Sequence, residues 1–330
     1  MAAPRTLILT ARDIPSLIDL PTALRLARRA FRLHGQGCTQ MPQKVYLTLP
    51  EYAGDLRAMP AYLGATKACG LKWVNVHPGN RRRHLPTVMG VILLTDPATG
   101  FPLAIMDGTH ITKLRTGAAA GVAADVLARP EAATVALVGC GAQAQSPLEA
   151  LLAVRRIRAV RVWSPVRGEP EAFIRRQRRG RVRVSAAADI NTCVAGADII
   201  VTITPSHRPL VRRAWVAPGA HINAIGADAP GKQELEPALL RAARVVVDDR
   251  GQSLHAGELN VPVRRGQYRP QSIHATLGEI LAGRRSGRRS AREITVFDST
   301  GLAIHDVALA RAVYLRALRL GRGRWVRLIG

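Results

Sequence analysis

Past Pro130 the chain alternates short β-branched apolar runs with helical stretches, and this limits the possible folds more than any other feature of its 330 residues. TVALVG (134–139), VRVWS (160–164) and VRVS (182–185) are each followed by a helical pattern. DIIVTIT (198–204), HINAIGAD (221–228), a helix from about Gln233, and ARVVVDD (243–249) come next. Six strands alternating with helices imply a parallel sheet covered on both faces, so the expectation is an α/β, doubly wound Rossmann architecture. ITVFDSTG (294–301) reads as one further strand, and AIHDVALARAVYLRAL (303–318) as a closing amphipathic helix that can return to an earlier domain.

The first third has a different character. PSLIDLPTALRLARRAFRLHG (15–35) repeats apolar positions at helical spacing until Gly35 stops the run. KVYLTL (44–49) and LKWVNV (71–76) alternate as strands, and TVMGVILLTD (87–96) with FPLAIMD (101–107) forms a strand pair around the turn PATG. A helical pattern then runs from Ile111 almost to Pro130. This part reads as α+β.

Gly139-Cys140-Gly141-Ala142-Gln143-Ala144 matches G-x-G-x-x-G/A between the first α/β strand and its helix. The first glycine permits a tight turn, the second lets the backbone approach a pyrophosphate, and Ala144 keeps helix and strand close. Amide groups at the helix start would face the phosphates, although Pro147 falls late for a first-turn proline and predicts an irregular start. A dinucleotide is therefore expected, NAD or NADP. The acidic residue that commonly reads the ribose, at the end of the second strand about 20 residues on, is here Ser164. With Arg161 and Arg167 nearby, NADP is the favoured form. Gly226–Lys232 also fits G-x-x-x-x-G-K, but Gln233 follows where a triphosphatase needs Ser or Thr for magnesium. Asp228 and Lys232 instead occupy a Gly/Pro turn at the carboxyl end of a parallel strand, where a carboxylate can move protons.

In the first domain Lys44, Arg57, Lys72 and Arg115 lie in or beside apolar segments. Lys72 interrupts GLKWVNV, and an ammonium buried there is costly unless it meets an anion, as a small carboxylate substrate would be. The net charge of +25 invites a polyanion reading, but five lysines accompany 43 arginines in scattered runs (81–83, 175–183, 283–292), and none is interleaved with base-stacking aromatics. No specific nucleic-acid partner is expected. Cys38, Cys69, Cys140 and Cys193 have no pairing pattern, the nine histidines no metal-ligand spacing, and no apolar run approaches the ~18–20 residues of a membrane span. No metal site and no membrane association are expected, and the opening MAAPRTLILTARDIPSL lacks a secretory signal's apolar core, which reads as cytoplasmic.

With these residues in place the sequence resembles the ornithine cyclodeaminase/mu-crystallin family, most nearly its archaeal alanine dehydrogenase type. The resemblance rests on MPQKVYL (41–47), GDLRAMPAYL (54–63), GLKWVNVHPGN (70–80), LPTVMGVILL (85–94), GFPLAIMDGTHITKLRTGAAAG (100–121), GCGAQAQ (139–145), HINAIGADAPGKQEL (221–235), GELNV (257–261), HATLGEI (274–280) and ITVFDSTGLAIHDVA (294–308). It implies a homodimer in which residues 1–118 and 302–330 form the substrate-binding and dimerisation domain, with an NAD(P)-binding Rossmann domain, 119–301, inserted. It also implies Lys72 and Asp228 as a catalytic pair, with Lys44, Arg57, Lys72, Arg115 and Thr300 around the substrate. Cofactor contacts would come from Thr87, Arg115, Thr116, Gly139, Gly141, Ala142, Gln143, Ser164, Arg167, Thr204, Ile225, Gly226, Ala227, Asp228, Lys232 and Ser299. The implied activity is an NAD(P)-dependent oxidoreductase of small amino and imino acids, alanine dehydrogenase first. A ketimine or pyrroline-2-carboxylate reductase, then an ornithine cyclodeaminase, are the alternatives, and a crystallin-like binding protein the reading from another class. A cyclodeaminase needs an acid for the distal ammonium, and segment 54–63 offers only Asp55.

Overall fold

The computed structural model describes residues 4–177 and 182–329. The chain divides into two compact units, one of residues 1–115 and 302–330, the other of residues 116–301. The arginine run at 175–183 is described only in part, since residues 178–181 lie outside the described residues.

The first unit is built on a mixed sheet. Its strands are β1 Thr6–Leu9, β2 Thr39–Gln40, β3 Val45–Leu49, β4 Gly54–Leu63, β5 Ala68–Val76, β6 Val88–Thr95 and β7 Pro102–Asp107, with Arg324–Val326 added at one edge. From that edge the order is β1, β7, β6, β5, β4, β2, and β3 also pairs with β4. β4 has no counterpart in the sequence reading. Pro60 argues against a strand, but it lies in the interval 59–61, where β4 is laddered only to β5, so its missing amide is tolerated. The expected helix 15–35 splits. Ile14–Leu17 forms one turn, Ile18 is extended, and the main helix is Leu20–Gly35, because the Asp19 carboxylate accepts the Thr22 amide (2.9 Å) and Pro21 suits a first turn. Its buried face is Ala23, Ala27, Ala30, Phe31 and Leu33. The closing helix Ala303–Leu320 packs on β4, β5 and β6 of this unit.

The second unit carries β8 Thr134–Val138, β9 Ala159–Trp163, β10 Arg183–Ala186, β11 Ile199–Thr202, β12 His221–Ala224, β13 Arg244–Val247, β14 Ala275–Thr276 and β15 Thr295–Asp298. All pair in parallel, in the order β10, β9, β8, β11, β12, β15, β13, β14. The first five positions follow the doubly wound pattern, while β15 enters between β12 and β13. Alternation explains the burial of both faces. Val135, Leu137, Ile199 and Val201 pack with Ala120, Ala124, Leu148 and Leu151 on one side, and Ala136, Val138, Ile200 and Ile222 with Val194, Leu239 and Leu240 on the other. The helix expected from Gln233 starts only at Pro237, because 233–235 runs extended and Leu235 bridges to Val211.

Candidate active site

In the first unit, strand alternation gathers the basic residues. Tyr46 stands opposite Arg57, Arg57 opposite Val74, and Met59 opposite Lys72, so Arg57 and Lys72 share one sheet face; Lys44 shares the parity of Tyr46. Lys72 is fully buried between Met59 and Ile92 in register, and its Nζ lies 2.8 Å from Asp306 Oδ2. Arg115 Nε approaches the other oxygen of Asp306 at 3.3 Å. Burial, then the Arg115 guanidinium, pushes Lys72 down to about 7, with Asp306 pulling the other way and Lys44 adding to the depression. The Asp306 carboxyl is held below the usual carboxylate range, because Lys72 and Arg115 outweigh its burial. Next to it His305 packs edge-on against Phe31 with ring centroids 4.3 Å apart, and burial pushes it down to about 3, so it is neutral. Two cations therefore act on the Lys72 ammonium against one carboxylate, an environment suited to a second, mobile anion.

Arg57 is differently placed from its neighbours. Its guanidinium grips Asp55 through two contacts, 2.6 and 3.1 Å, and stacks over Tyr46. Thr87 lies on the sheet's approach to β6, its carbonyl accepting the His77 amide.

In the second unit the remaining candidates collect at the carboxyl ends of neighbouring parallel strands, where open α/β sheets bind ligands. Gly139 follows β8 with φ +111°, and a Cβ there would lie 2.7 Å from the Ile203 carbonyl. Only glycine fits. A Cβ on Gly141 would meet nothing within 4 Å, which leaves open space over the turn where a pyrophosphate would lie. The helix Gln145–Val154 opens from this turn. Pro147 is its third residue, whose amide has no partner within a helix, so the start is regular and the expected irregularity is absent. Gln143 Oε1 and Ser146 Oγ are buried beside the turn and make no hydrogen bond among the described residues. Orphaned polar atoms, an open second glycine and a helix N-terminus together fit a dinucleotide's phosphates.

Ala142 lies in this turn, and at the carboxyl ends of the next strands in the sheet stand Thr204 after β11, Ile225 to Asp228 after β12, and Ser299 and Thr300 after β15; Thr116 opens the second unit. Asp228 is about one-third exposed, and its carboxylate accepts from the Lys232 ammonium at 2.6 Å. The Thr300 hydroxyl donates to Asp248 at 3.0 Å, so its proton is committed to the fold. Ser164 directly follows β9 and donates to Glu169 at 2.7 Å, while Arg167 is exposed on the intervening turn.

Several supporting carboxylates escaped the sequence reading. Glu234, fully buried, accepts from the Thr204 amide (2.7 Å), the Thr204 hydroxyl (2.7 Å) and the Gly226 amide (2.8 Å), tying two candidate cofactor loops together. Glu258 in turn accepts the Glu234 amide, and Asp298 the Glu258 amide. Burial, with Asp248 beside it, raises Asp298 to about 8, and burial also pushes the Glu234 and Glu258 carboxyls above the usual carboxylate range. Asp306 carried a legible signal. The first two turns of the closing helix, 303–310, are buried on every side and 313, 314 and 317 continue the buried face, and Asp306 is the acidic residue in this apolar run. Among the described residues no cluster of His, Cys, Asp and Glu could hold a metal ion, and no helix is long and apolar enough to cross a membrane.

Comparison with known proteins finds relatives that match nearly the whole chain. The model of the ornithine cyclodeaminase/mu-crystallin family matches residues 5–320. An alanine dehydrogenase of Archaeoglobus fulgidus is 49% identical over 315 residues, 95% of each chain. The structure of an archaeal alanine dehydrogenase dimer with bound NAD superposes with a TM-score of 0.95 at 47% identity, covering 99% of this chain and all of that one. The Thermococcus litoralis Δ1-pyrroline-2-carboxylate reductase, in complex with NADH and L-proline, gives a TM-score of 0.94 at 34% identity, covering 97% and 100%. Matched over almost its whole length in both sequence and structure, the chain belongs to the ornithine cyclodeaminase/mu-crystallin family.

Proposed function

We propose that this protein is a nicotinamide-dependent oxidoreductase of small 2-amino and 2-imino acids, and that L-alanine is its principal product: pyruvate, ammonia, NAD(P)H and a proton give L-alanine, NAD(P)⁺ and water. The observation that carries the reading is the buried Lys72 ammonium, held 2.8 Å from Asp306 and brought down to about 7 by burial and then by Arg115. The bound dinucleotide, seated by Gly139, Gly141 and the start of the helix Gln145–Val154, supplies or accepts hydride. Arg115 with Lys44 holds the substrate carboxylate. Lys72 donates to the carbonyl or imine and so polarises the reacting carbon. Asp228, partly exposed and steadied by Lys232, carries protons between the reacting nitrogen or oxygen and water.

The 49% identity to an alanine dehydrogenase supports alanine. The 34% identity to a reductase crystallised with L-proline supports pyrroline-2-carboxylate as the second reading. Ornithine cyclisation is less well served, since Arg57 occupies both oxygens of Asp55. The homodimer reading draws on the outer face of the first unit's sheet, where Val45, Ala58, Trp73 and Val91 line up in register and Val45, Trp73 and Val91 are exposed. A row of large apolar side chains on open sheet is what a second copy would cover. One panel tests the substrate reading: pyruvate and glyoxylate with ammonia, piperideine- and pyrroline-2-carboxylate, and ornithine, each with NADH or NADPH, or their oxidised forms for ornithine. Pyruvate with ammonia is expected to give the highest kcat/KM. A higher value for a cyclic imine transfers the assignment to that class, and no turnover of any compound rejects the oxidoreductase reading.

A further inference from the structure

The end of β9, where a dinucleotide's adenosine ribose is read in this architecture, carries no acid in sequence, because Ser164 stands there. The structure nevertheless brings one. The turn Pro165–Gly168, closed by Gly168 at φ +83°, leads into the helix Glu169–Gln177, and Glu169 Oε2 accepts the Ser164 hydroxyl proton at 2.7 Å. That hydroxyl also accepts the Val166 amide (3.3 Å), which fixes its proton toward Glu169. The same strand end is bonded to the glycine turn, since the Gly139 amide donates to the Trp163 carbonyl at 2.8 Å. Cys140, inside that turn, feels the acid: burial first, and the Glu169 carboxylate second, raise its thiol to about 12.

Two of the basic residues that could welcome a 2′-phosphate are engaged elsewhere. The Arg161 guanidinium turns away to the Cys193 carbonyl (3.0 Å) and the Ala195 carbonyl. Arg176 lies over the Phe173 ring. Arg167 is exposed on the turn between Ser164 and Glu169, so it is Glu169 that sets the charge held at the strand end.

On the dinucleotide reading given above, we infer that Glu169, held by Ser164, is the ribose acceptor of this protein and makes it select NAD over NADP. The carboxylate accepts hydrogen bonds from the ribose hydroxyls, and the same charge repels a 2′-phosphate. This reverses the preference for NADP that Ser164 suggests when the strand end is read alone. Ser164 acts as a positioning residue, since its hydroxyl holds the carboxylate in place.

The test is direct binding of NADH and NADPH to the full chain, followed by nicotinamide fluorescence without substrate, with thermal melting as a check of fold. The parent is expected to bind NADH at least tenfold more tightly than NADPH. Glu169→Gln keeps the shape, removes the charge, and should lower that preference roughly tenfold or more, largely by tightening NADPH. Ser164→Ala keeps the charge and should lower it by less. Gly141→Val should lose both cofactors alike. A parent that binds both but favours NADPH, or a Glu169→Gln variant with the parent's ratio, overturns the assignment while leaving the dinucleotide site standing. A parent that binds neither overturns both.

Discussion

Asp306→Asn isolates the buried ion pair on which the proposed chemistry depends. At 2.8 Å, and with an effective dielectric constant of about 20, the Coulomb attraction between Lys72 and Asp306 is roughly 6 kcal/mol, much of it offset by the cost of burying both charges. Removing one partner of such a pair leaves the other charge uncompensated, at about 3–5 kcal/mol if it stays charged. Lys72 has an escape, because it already titrates near 7 and can shed its proton. The sign follows. With the folded pKa below the unfolded value of about 10.4, Lys72 favours the unfolded state progressively as pH falls, until it is protonated in both states. Without Asp306 the folded pKa drops further, so this loss continues to a lower pH. The variant's deficit in Tm should therefore widen between pH 8.5 and pH 6. At pH 7 Lys72 becomes neutral in the variant, and kcat/KM should fall at least tenfold, while NADH affinity, which on the proposed reading is set mainly at the glycine turn, should change far less. Paired measurements of Tm, NADH fluorescence and kcat/KM across that pH range suffice. A variant with the parent's pH profile of kcat/KM would refute the role given to the pair.

Other expectations can be checked in the same preparations. Asp228→Asn preserves shape and removes the proton carrier, so kcat should fall by ~10²–10⁴ in steady-state assays with NADH binding nearly intact. Gly141→Val should melt like the parent, since a Cβ there meets no protein atom, yet lose nicotinamide fluorescence enhancement; Gly139→Ala, driven against the Ile203 carbonyl at positive φ, should instead lower Tm. Trp73→Glu, on the exposed apolar row, should shift the molecular mass measured by light scattering from dimer toward monomer, and a parent that is itself monomeric would remove the homodimer reading.

Much of this was written locally in the chain. The parallel strands of the second unit declare themselves because each is a short apolar run bounded by turn residues, and the glycine turn because its backbone demands are met by residue type. What stayed hidden depended on distant partners. β4 was missed because Pro60 breaks the local pattern and is tolerated only through one-sided pairing, which sequence does not display. β15 enters the sheet ahead of β13 although it follows it in the chain, a choice made by packing. Asp306 lies in a legible apolar run, yet Lys72, more than two hundred residues away, is what makes its charge intelligible. Glu169 was overlooked because spacing rules examine the strand end, whereas the carboxylate arrives from the following helix.

The most direct test of the central claim is isotopic. Incubation of the full-length protein with pyruvate, ammonia and NADH carrying deuterium at both C4 positions, followed by NMR of the product, should reveal L-alanine with one deuterium at Cα. The account is contradicted if alanine forms without the label, or if no acid of the panel acquires deuterium at its α-carbon.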